Sequence, residues 1–260
     1  MTTQEADVYS RWRSPQAWRR PGRVTLANVP AIDPEEPMQA ALRAGGADLV
    51  AGPLKGPDGG VDPGAAESDV VVSGGTPLGE EVFGALRATR LLLRPYVGYD
   101  DIDVEAASRH GVLVANVPDA ITDDVANQAM AFILGINREL LRLDTFVRSG
   151  EWARTRRRNP AWMKLHRPTV QTLGFVGFGN IGQATARRAR PFGFRMVAHD
   201  PYLPSDVAAQ VGVELLSLEH VLETADMVSV HTLLNPQTHH LIGAAQLARM
   251  KPTAWLVNTA

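Results

Sequence analysis

From Arg23 onward, short apolar runs alternate with stretches of helical period, and each change of period marks an element. Runs over 24–29, 48–51, 69–72, 91–97 and 112–117 predict strands, and 37–44, 78–86 and 104–110 predict helices among them. Glycine closes a helix and precedes a strand at Gly111, Gly193 and Gly212, where the left-handed position after a helix favours a residue without Cβ. Strand and helix in repeated alternation predict parallel sheets covered by helices, an α/β fold. The glycine-rich stretch 52–64 predicts a surface excursion, since it lacks the lysine followed by Ser or Thr that a phosphate loop needs. Residues 1–22 are polar and arginine-rich, with Trp12 and Trp18 but no period, and predict a disordered tail.

A long helical pattern follows over 123–148. Thr122 is placed to cap it, Asp123 and Asp124 suit the positive end of its dipole, and Ala126, Ala129, Met130, Ile133 and Leu134 form its apolar face. The stretch 152–167 reads as a loop, and its Arg156-Arg157-Arg158 tract as a solvated surface, with a phosphate or acid-substrate contact as the sharper alternative. Alternation then resumes. Strands are predicted at 173–176, 194–198, 213–216, 227–231 and 254–257, and helices at 205–211, 218–224 and 244–250. Asn116-Val117-Pro118-Asp119 looks like a hinge, giving one domain over 23–118 and a second over 119–260.

Composition narrows the function more than the fold. The chain has 260 residues, 45% hydrophobic and 21% charged, which suits a globular protein. A net charge of −2 implies no bulk attraction to nucleic acid or membrane. Cysteine is absent, which excludes disulfides, thiolate nucleophiles and thiolate-held metals. The seven histidines form no spacing for a metal site, and no apolar window reaches the length of a membrane span. A cytoplasmic protein is expected. His110 is expected to be solvated at a helix end.

The stretch from Thr172 to Tyr202 carries the chemistry. An apolar run meets Gly177-Phe178-Gly179-Asn180-Ile181-Gly182, an alanine-rich helix follows, and a second apolar run ends at Asp200, 18 residues beyond Gly182. Each part has a physical task in binding a dinucleotide. Gly177 permits the tight turn, Gly179 lets a pyrophosphate approach the backbone, and Gly182 lets helix and strand pack. The helix start offers N–H groups and partial positive charge to the phosphates. Asp200 would accept hydrogen bonds from the adenosine ribose and repel a 2′-phosphate, so NAD is the expected cofactor. Pro191 should end the helix near Arg190.

Several segments together resemble the D-isomer-specific 2-hydroxyacid dehydrogenases, in the branch near phosphoglycerate dehydrogenases and C-terminal-binding proteins. They are Tyr96-Val97-Gly98-Tyr99-Asp100-Asp101-Ile102-Asp103, Val114-Ala115-Asn116-Val117-Pro118, the glycine stretch through Asp200-Pro201-Tyr202, Asp226 to His231, Thr238 to Gly243, Met250-Lys251-Pro252 and Asn258-Thr259-Ala260. The resemblance implies a flavodoxin-like substrate domain and a Rossmann-type NAD-binding domain. It implies hydride transfer between NAD(H) and a 2-hydroxy or 2-oxo acid. It places the substrate carboxylate on the backbone of Val97 and Gly98. It places cofactor contacts at Val125, at Thr232, Leu233 and Thr238 after the fourth strand of the domain, and at Thr259 and Ala260 after the fifth. Four positions depart from the family: Tyr96 stands where glycine is usual, Asn127-Gln128 replace an acid and a histidine, and Leu233 replaces a proline.

In the family an arginine follows Asn-Thr-Ala directly, and an acid and a histidine come later. Here Ala260 is last, so the resemblance implies a C-terminally truncated chain with an incomplete Rossmann-type domain. No catalytic residue is assigned within it, and residues 1–260 alone are expected to reduce no 2-oxo acid measurably. His231 reads as a packed or ribose-side residue. A homodimer is expected, because the long helix and its continuation offer more apolar surface than one domain needs. The alternative function is an NAD-sensing dimeric interaction protein resembling the C-terminal-binding proteins.

Overall fold

The computed structural model describes residues 22–28, 33, 35–155, 163 and 165–260. Apart from Gly22, the tail expected over 1–22 lies outside these, and so does the Arg156-Arg157-Arg158 tract. The chain forms two compact units that divide between Ala120 and Ile121.

The first unit contains β1 (Arg23–Ala27), β2 (Asp48–Gly52), β3 (Val70–Ser73), β4 (Leu91–Arg94) and β5 (Leu113–Asn116). They form one parallel sheet in the order β2-β1-β3-β4-β5, with Leu26 between Ala51 and Val72. This is the flavodoxin-like order. Its helices are α1 (Pro37–Ala44), α2 (Pro63–Ala66), α3 (Glu80–Ala85) and α4 (Val104–Arg109). Strand residues alternate between two cores, as a sheet covered on both faces requires. Ala27, Val71 and Leu92 pack with Val82, Phe83 and Ala106 of α3 and α4. Val24, Leu26 and Val72 pack with Met38 and Leu42 of α1.

Local chemistry moves several predicted boundaries in this unit. β4 stops at Arg94, well short of position 97, because Pro95 has no N–H for the ladder. The helix expected from position 78 starts at Glu80, and Leu78 is fully buried and bridges in parallel to Ile102. The 52–64 stretch is more than a surface excursion: Leu54 is fully buried, and Lys55 pairs antiparallel with Val61. His110 is not simply solvated. Its Nε2 lies 2.6 Å from Glu80 Oε1, and Arg109 with His110 holds the Glu80 carboxyl below the usual carboxylate range.

The second unit contains β6 (Thr172–Val176), β7 (Arg195–His199), β8 (Glu214–Leu215), β9 (Met227–Val230) and β10 (Trp255–Asn258). They form a parallel sheet in the order β10-β9-β6-β7-β8. Counted from β6, this is the Rossmann order through its fifth strand. The helices are α5 (Thr122–Asn137), α6 (Leu140–Arg148), α7 (Glu151–Arg154), α8 (Asn180–Ala189), α9 (Ser205–Gln210), α10 (Leu218–Thr224) and α11 (Ala244–Leu247). Ala129, Met130 and Ile133 of α5 are buried, and Met130 and Ile133 join Phe175, Phe178, Ala186 and Met196 in the principal core.

The long helix predicted over 123–148 is two helices. Glu139 takes a left-handed conformation (φ 52°) between α5 and α6, and Asn137 is drawn inward to donate to the carbonyl of His166 and to Gln171 Oε1. Thr122 is not the cap. Ile121 holds that position, and the Thr122 hydroxyl is buried without a partner. Asp123 and Asp124 do occupy the first turn. α7 forms within the stretch read as a loop, and Trp152 meets Phe146 edge-on at 6.1 Å between ring centres. α8 ends at Ala189, Pro191 lies in a 3-10 turn, and Gly193 leaves it at φ 84°. Gly111 and Gly212 are left-handed as well, at φ 70° and 76°. Among the described residues no helix is long and apolar enough to cross a membrane.

Candidate functional site

The site is built where β6 ends. Leu173, Phe175 and Val176 are fully buried and fix the strand in the centre of the sheet, with β7 on one side and β9 on the other. The connection after β6 runs to β7 on one side and the one after β8 crosses to β9 on the other, so the chain reverses direction beside β6, where open α/β sheets take ligands beyond their carboxyl ends. Gly177 turns the chain off the strand at φ 83°, and its N–H donates to the carbonyl of His199 at 2.9 Å. A Cβ on Gly177 would lie 2.8 Å from the backbone C and O of His231. A Cβ on Gly182 would lie 2.8 Å from the carbonyl oxygen of Gly177, so the turn and α8 touch backbone to backbone. A Cβ on Gly179 would meet nothing within 4 Å. Gly179 opens α8 without a side-chain cap, so the positive end of the helix dipole points into open space.

Phe178 serves through its backbone. Its ring is fully buried at 5.3 Å from that of Phe175, and its N–H donates to Asp200 Oδ2 at 2.8 Å. Asp200 Oδ1 accepts from the N–H of Tyr202 at 3.0 Å. The carboxylate thus ties the glycine turn to the tip of β7 and retains lone pairs for two ribose hydroxyls. Asn180 is exposed and Ile181 half-buried at the start of α8. Val125 is half-buried on α5, which is fastened to α8 by Arg188: its Nε donates to Asn127 Oδ1 (2.7 Å) and its Nη2 to Asp123 (2.6 Å).

The loops after β9 and β10 form the other flank. Thr232, Leu233, Thr238 and Ala260 line one cavity of about 340 Å³ with Val230 and Leu256. The Thr238 hydroxyl donates to the carbonyl of Leu233 and accepts from the N–H of Asn235 at 2.9 Å, which locks the turn. Thr259 Oγ1 lies 3.4 Å from His231 Nδ1, and Ser229 Oγ lies 2.9 Å from His231 Nε2. A larger cavity of about 670 Å³, lined by Asn137, Gln171, Asp226 and Trp255 among others, lies where β6, β9 and β10 begin. That is the wrong end of the sheet for this chemistry.

His231 is the residue whose role the sequence left open. It is largely buried, stacked on Phe175 with ring centres 6.1 Å apart, and its imidazole joins the ends of β9 and β10. The signal for it was a histidine at the end of an otherwise apolar strand. Burial pushes its pKa down from 6.5 to about 4, so the ring is neutral at pH 7. The unfolded chain takes up this proton near 6.5 and the folded chain near 4. The contribution is therefore complete above pH 6.5 and is lost as pH falls toward 4, roughly 3 kcal/mol in all. Denaturant titrations at stepped pH should show His231→Gln losing less stability across this window than the parent. Superimposable profiles would count against a buried neutral ring.

Val97 and Gly98 lie in the first unit, in the turn after β4. Two side chains brace this turn from the sheet. Asn116 Nδ2 donates to the carbonyl of Val97 at 2.8 Å, and the buried Arg94 donates to Asp101 Oδ1 at 2.5 Å. Sequence reasoning gave neither a role; the arginine ending an apolar Leu91-Leu92-Leu93 run was the available signal.

A parallel sheet in Rossmann order, with a glycine turn at its switch point and an acid at the neighbouring strand tip, defines a dinucleotide-binding protein. Residues 130–260 match the model of the D-isomer specific 2-hydroxyacid dehydrogenase, NAD binding domain, and the chain belongs to that family of NAD-binding proteins. It is 41% identical over 183 residues to a glyoxylate reductase of Korarchaeum cryptofilum, covering 70% of this chain and 54% of that protein. It is 37% identical over 196 residues to a D-3-phosphoglycerate dehydrogenase of Methanocaldococcus jannaschii, covering 75% and 36%. The chain thus spans about half the length, or less, of these relatives. Among solved structures, a glyoxylate reductase from Paecilomyes thermophila aligns with a TM-score of 0.73 at 27% identity, covering 92% of this chain and 73% of that one. A D-lactate dehydrogenase from Aquifex aeolicus complexed with NAD and lactic acid shares the fold, with a TM-score of 0.77 at 24% identity and coverage of 91% and 68%.

Proposed function

We propose that the whole protein is an NAD-dependent oxidoreductase that transfers hydride between the nicotinamide and a 2-hydroxy or 2-oxo acid. The observation that carries this reading is the Gly177–Gly182 turn, its open cradle at Gly179 and Asp200 bonded to it at the tip of β7. In this reading the start of α8 holds the pyrophosphate, and Asp200 accepts the adenosine ribose hydroxyls. Val125, Thr232, Leu233, Thr238, Thr259 and Ala260 bound the nicotinamide half, and the backbone N–H groups of Val97 and Gly98 hold the substrate carboxylate. NAD, once bound, supplies or accepts the hydride. The arginine, acid and histidine that orient the acid and exchange its proton are assigned to none of residues 1–260. His231 is unsuited to that exchange: with its pKa pushed to about 4 it is a weak base at pH 7 and carries no extra proton to give, and both its ring nitrogens are engaged.

The test is NADH oxidation by the whole protein with glyoxylate, pyruvate and hydroxypyruvate. Turnover of at least one is expected. Tight NADH binding without turnover of any would favour the NAD-sensing interaction protein instead. The reading includes a homodimer, supported by the exposed Leu140, Leu141 and Val147 of α6, which leave 57%, 86% and 56% of their surface open. Sedimentation at micromolar concentration should give twice the monomer mass; a monomer at every concentration would refute it.

A further inference from the structure

The turn after β4 carries a half-exposed aromatic side chain. Tyr96 stands immediately before Val97 and Gly98, with 48% of its surface exposed. Its ring tip lies directly against Gly74, in the loop after β3: a Cβ on Gly74 would overlap the Tyr96 hydroxyl and stand 2.5 Å from Cε2. A side chain at position 74 would have to displace the phenol from where it stands. The backbone beneath the ring is fixed as well. The carbonyl of Tyr96 accepts from the N–H of Val117 at 3.2 Å, and that of Val97 from Asn116 Nδ2 at 2.8 Å. Both loops lie at the carboxyl edge of the sheet, the edge at which open α/β sheets take ligands. An aromatic ring with its backbone tied and its tip seated against Gly74, half open to solvent at that edge, forms a wall beside the carboxylate turn.

We infer that Tyr96 determines substrate size, excluding acids with branched or aromatic side chains and admitting those as short as glyoxylate and pyruvate. This rests on the reading of Val97 and Gly98 as the carboxylate turn. A glycine at position 96 would leave the space above Gly74 empty. The tyrosine fills it, with its ring tip in contact with Gly74. A wall of this kind discriminates by volume, and one methylene in a tight apolar site changes kcat/KM by about 10–200-fold.

The experiment compares kcat/KM for glyoxylate and for 4-methyl-2-oxopentanoate in the whole protein, Tyr96→Gly, Tyr96→Ala and Tyr96→Phe. The ratio should move toward the longer acid by about tenfold or more in Tyr96→Gly and Tyr96→Ala, while Tyr96→Phe keeps the parent ratio because it keeps the volume. Loss of activity through misfolding lowers both numbers and leaves their ratio in place, so the two truncations are judged on the ratio alone. An unchanged ratio in both overturns the inference while the dehydrogenase reading stands. No turnover of either acid by the parent, with NADH bound, overturns the reading and the inference together. Gly74→Ala gives an independent check: it should shift the ratio in the parent, where it displaces the ring, and leave it unchanged in the Tyr96→Gly background.

Discussion

Gly177→Ala is expected to lower both the stability of the protein and its affinity for NADH. Two costs add at this position. The backbone is left-handed at φ 83°, which costs a residue with a Cβ roughly 1–2 kcal/mol. The new methyl would also stand 2.8 Å from the backbone C and O of His231, and backbone at the end of a central strand cannot rotate away as a side chain can. Relieving the overlap means moving the end of β9, with the Thr232 and Leu233 that line the cavity. Strain of this kind costs about 1–3 kcal/mol, so a total of roughly 2–5 kcal/mol is expected, several degrees in Tm. NADH affinity should fall at least about tenfold. Gly179→Ala is the informative partner. Its Cβ meets no protein atom within 4 Å, so stability should hold while affinity still falls, because the methyl occupies the space the pyrophosphate needs. Melting curves and fluorescence titration of NADH separate the two effects. A Gly179→Ala protein that binds NADH as the parent does would remove the turn from the cofactor site.

Replacement of Asp200 should have the second large effect, on which cofactor is preferred. The carboxylate does structural and recognition work together: it receives the N–H groups of Phe178 (2.8 Å) and Tyr202 (3.0 Å) and faces the position of the adenosine ribose in the proposed mode. Hydrogen bonds to a charged group are worth about 1.5–3 kcal/mol each. Asp200→Ala should therefore weaken NAD roughly 10–100-fold. NADP, which the parent should bind poorly through repulsion of its 2′-phosphate, should lose much less, so the preference contracts by a similar factor. Asp200→Asn separates the contributions, since it retains an acceptor for one backbone N–H and discards the charge. The measurement is titration of NAD and NADP against the three proteins, with melting curves to confirm folding. A parent that binds NADP more tightly than NAD, or a preference unmoved in a folded Asp200→Ala, would show that this carboxylate does not read the ribose.

The arrangement of strands and helices, the glycine turn and the acid at the strand tip were legible in the chain itself. All three rest on short-range information. Period 2 against period 3.6 separates strand from helix within a few residues, and the spacing from Gly182 to Asp200 spans one helix and one strand. Tertiary structure decided the rest, because each remaining feature depends on which distant residues become neighbours. The helical pattern ran on through position 139, but the helix breaks there, beside the bond from Asn137 to Gln171, 34 positions away. Asp200 accepts from Phe178 across 22 positions, a contact that exists only because β6 and β7 are paired. His231 meets Thr259 across 28 positions because β9 and β10 are neighbours, and Tyr96 meets Gly74 because their loops leave the paired strands β4 and β3. Hydrophobic periodicity states which face of an element is buried; it carries no information about what lies opposite that face. The sequence therefore determined the kind of site this protein builds, and the order of its strands decided which side chains stand within reach of one another there.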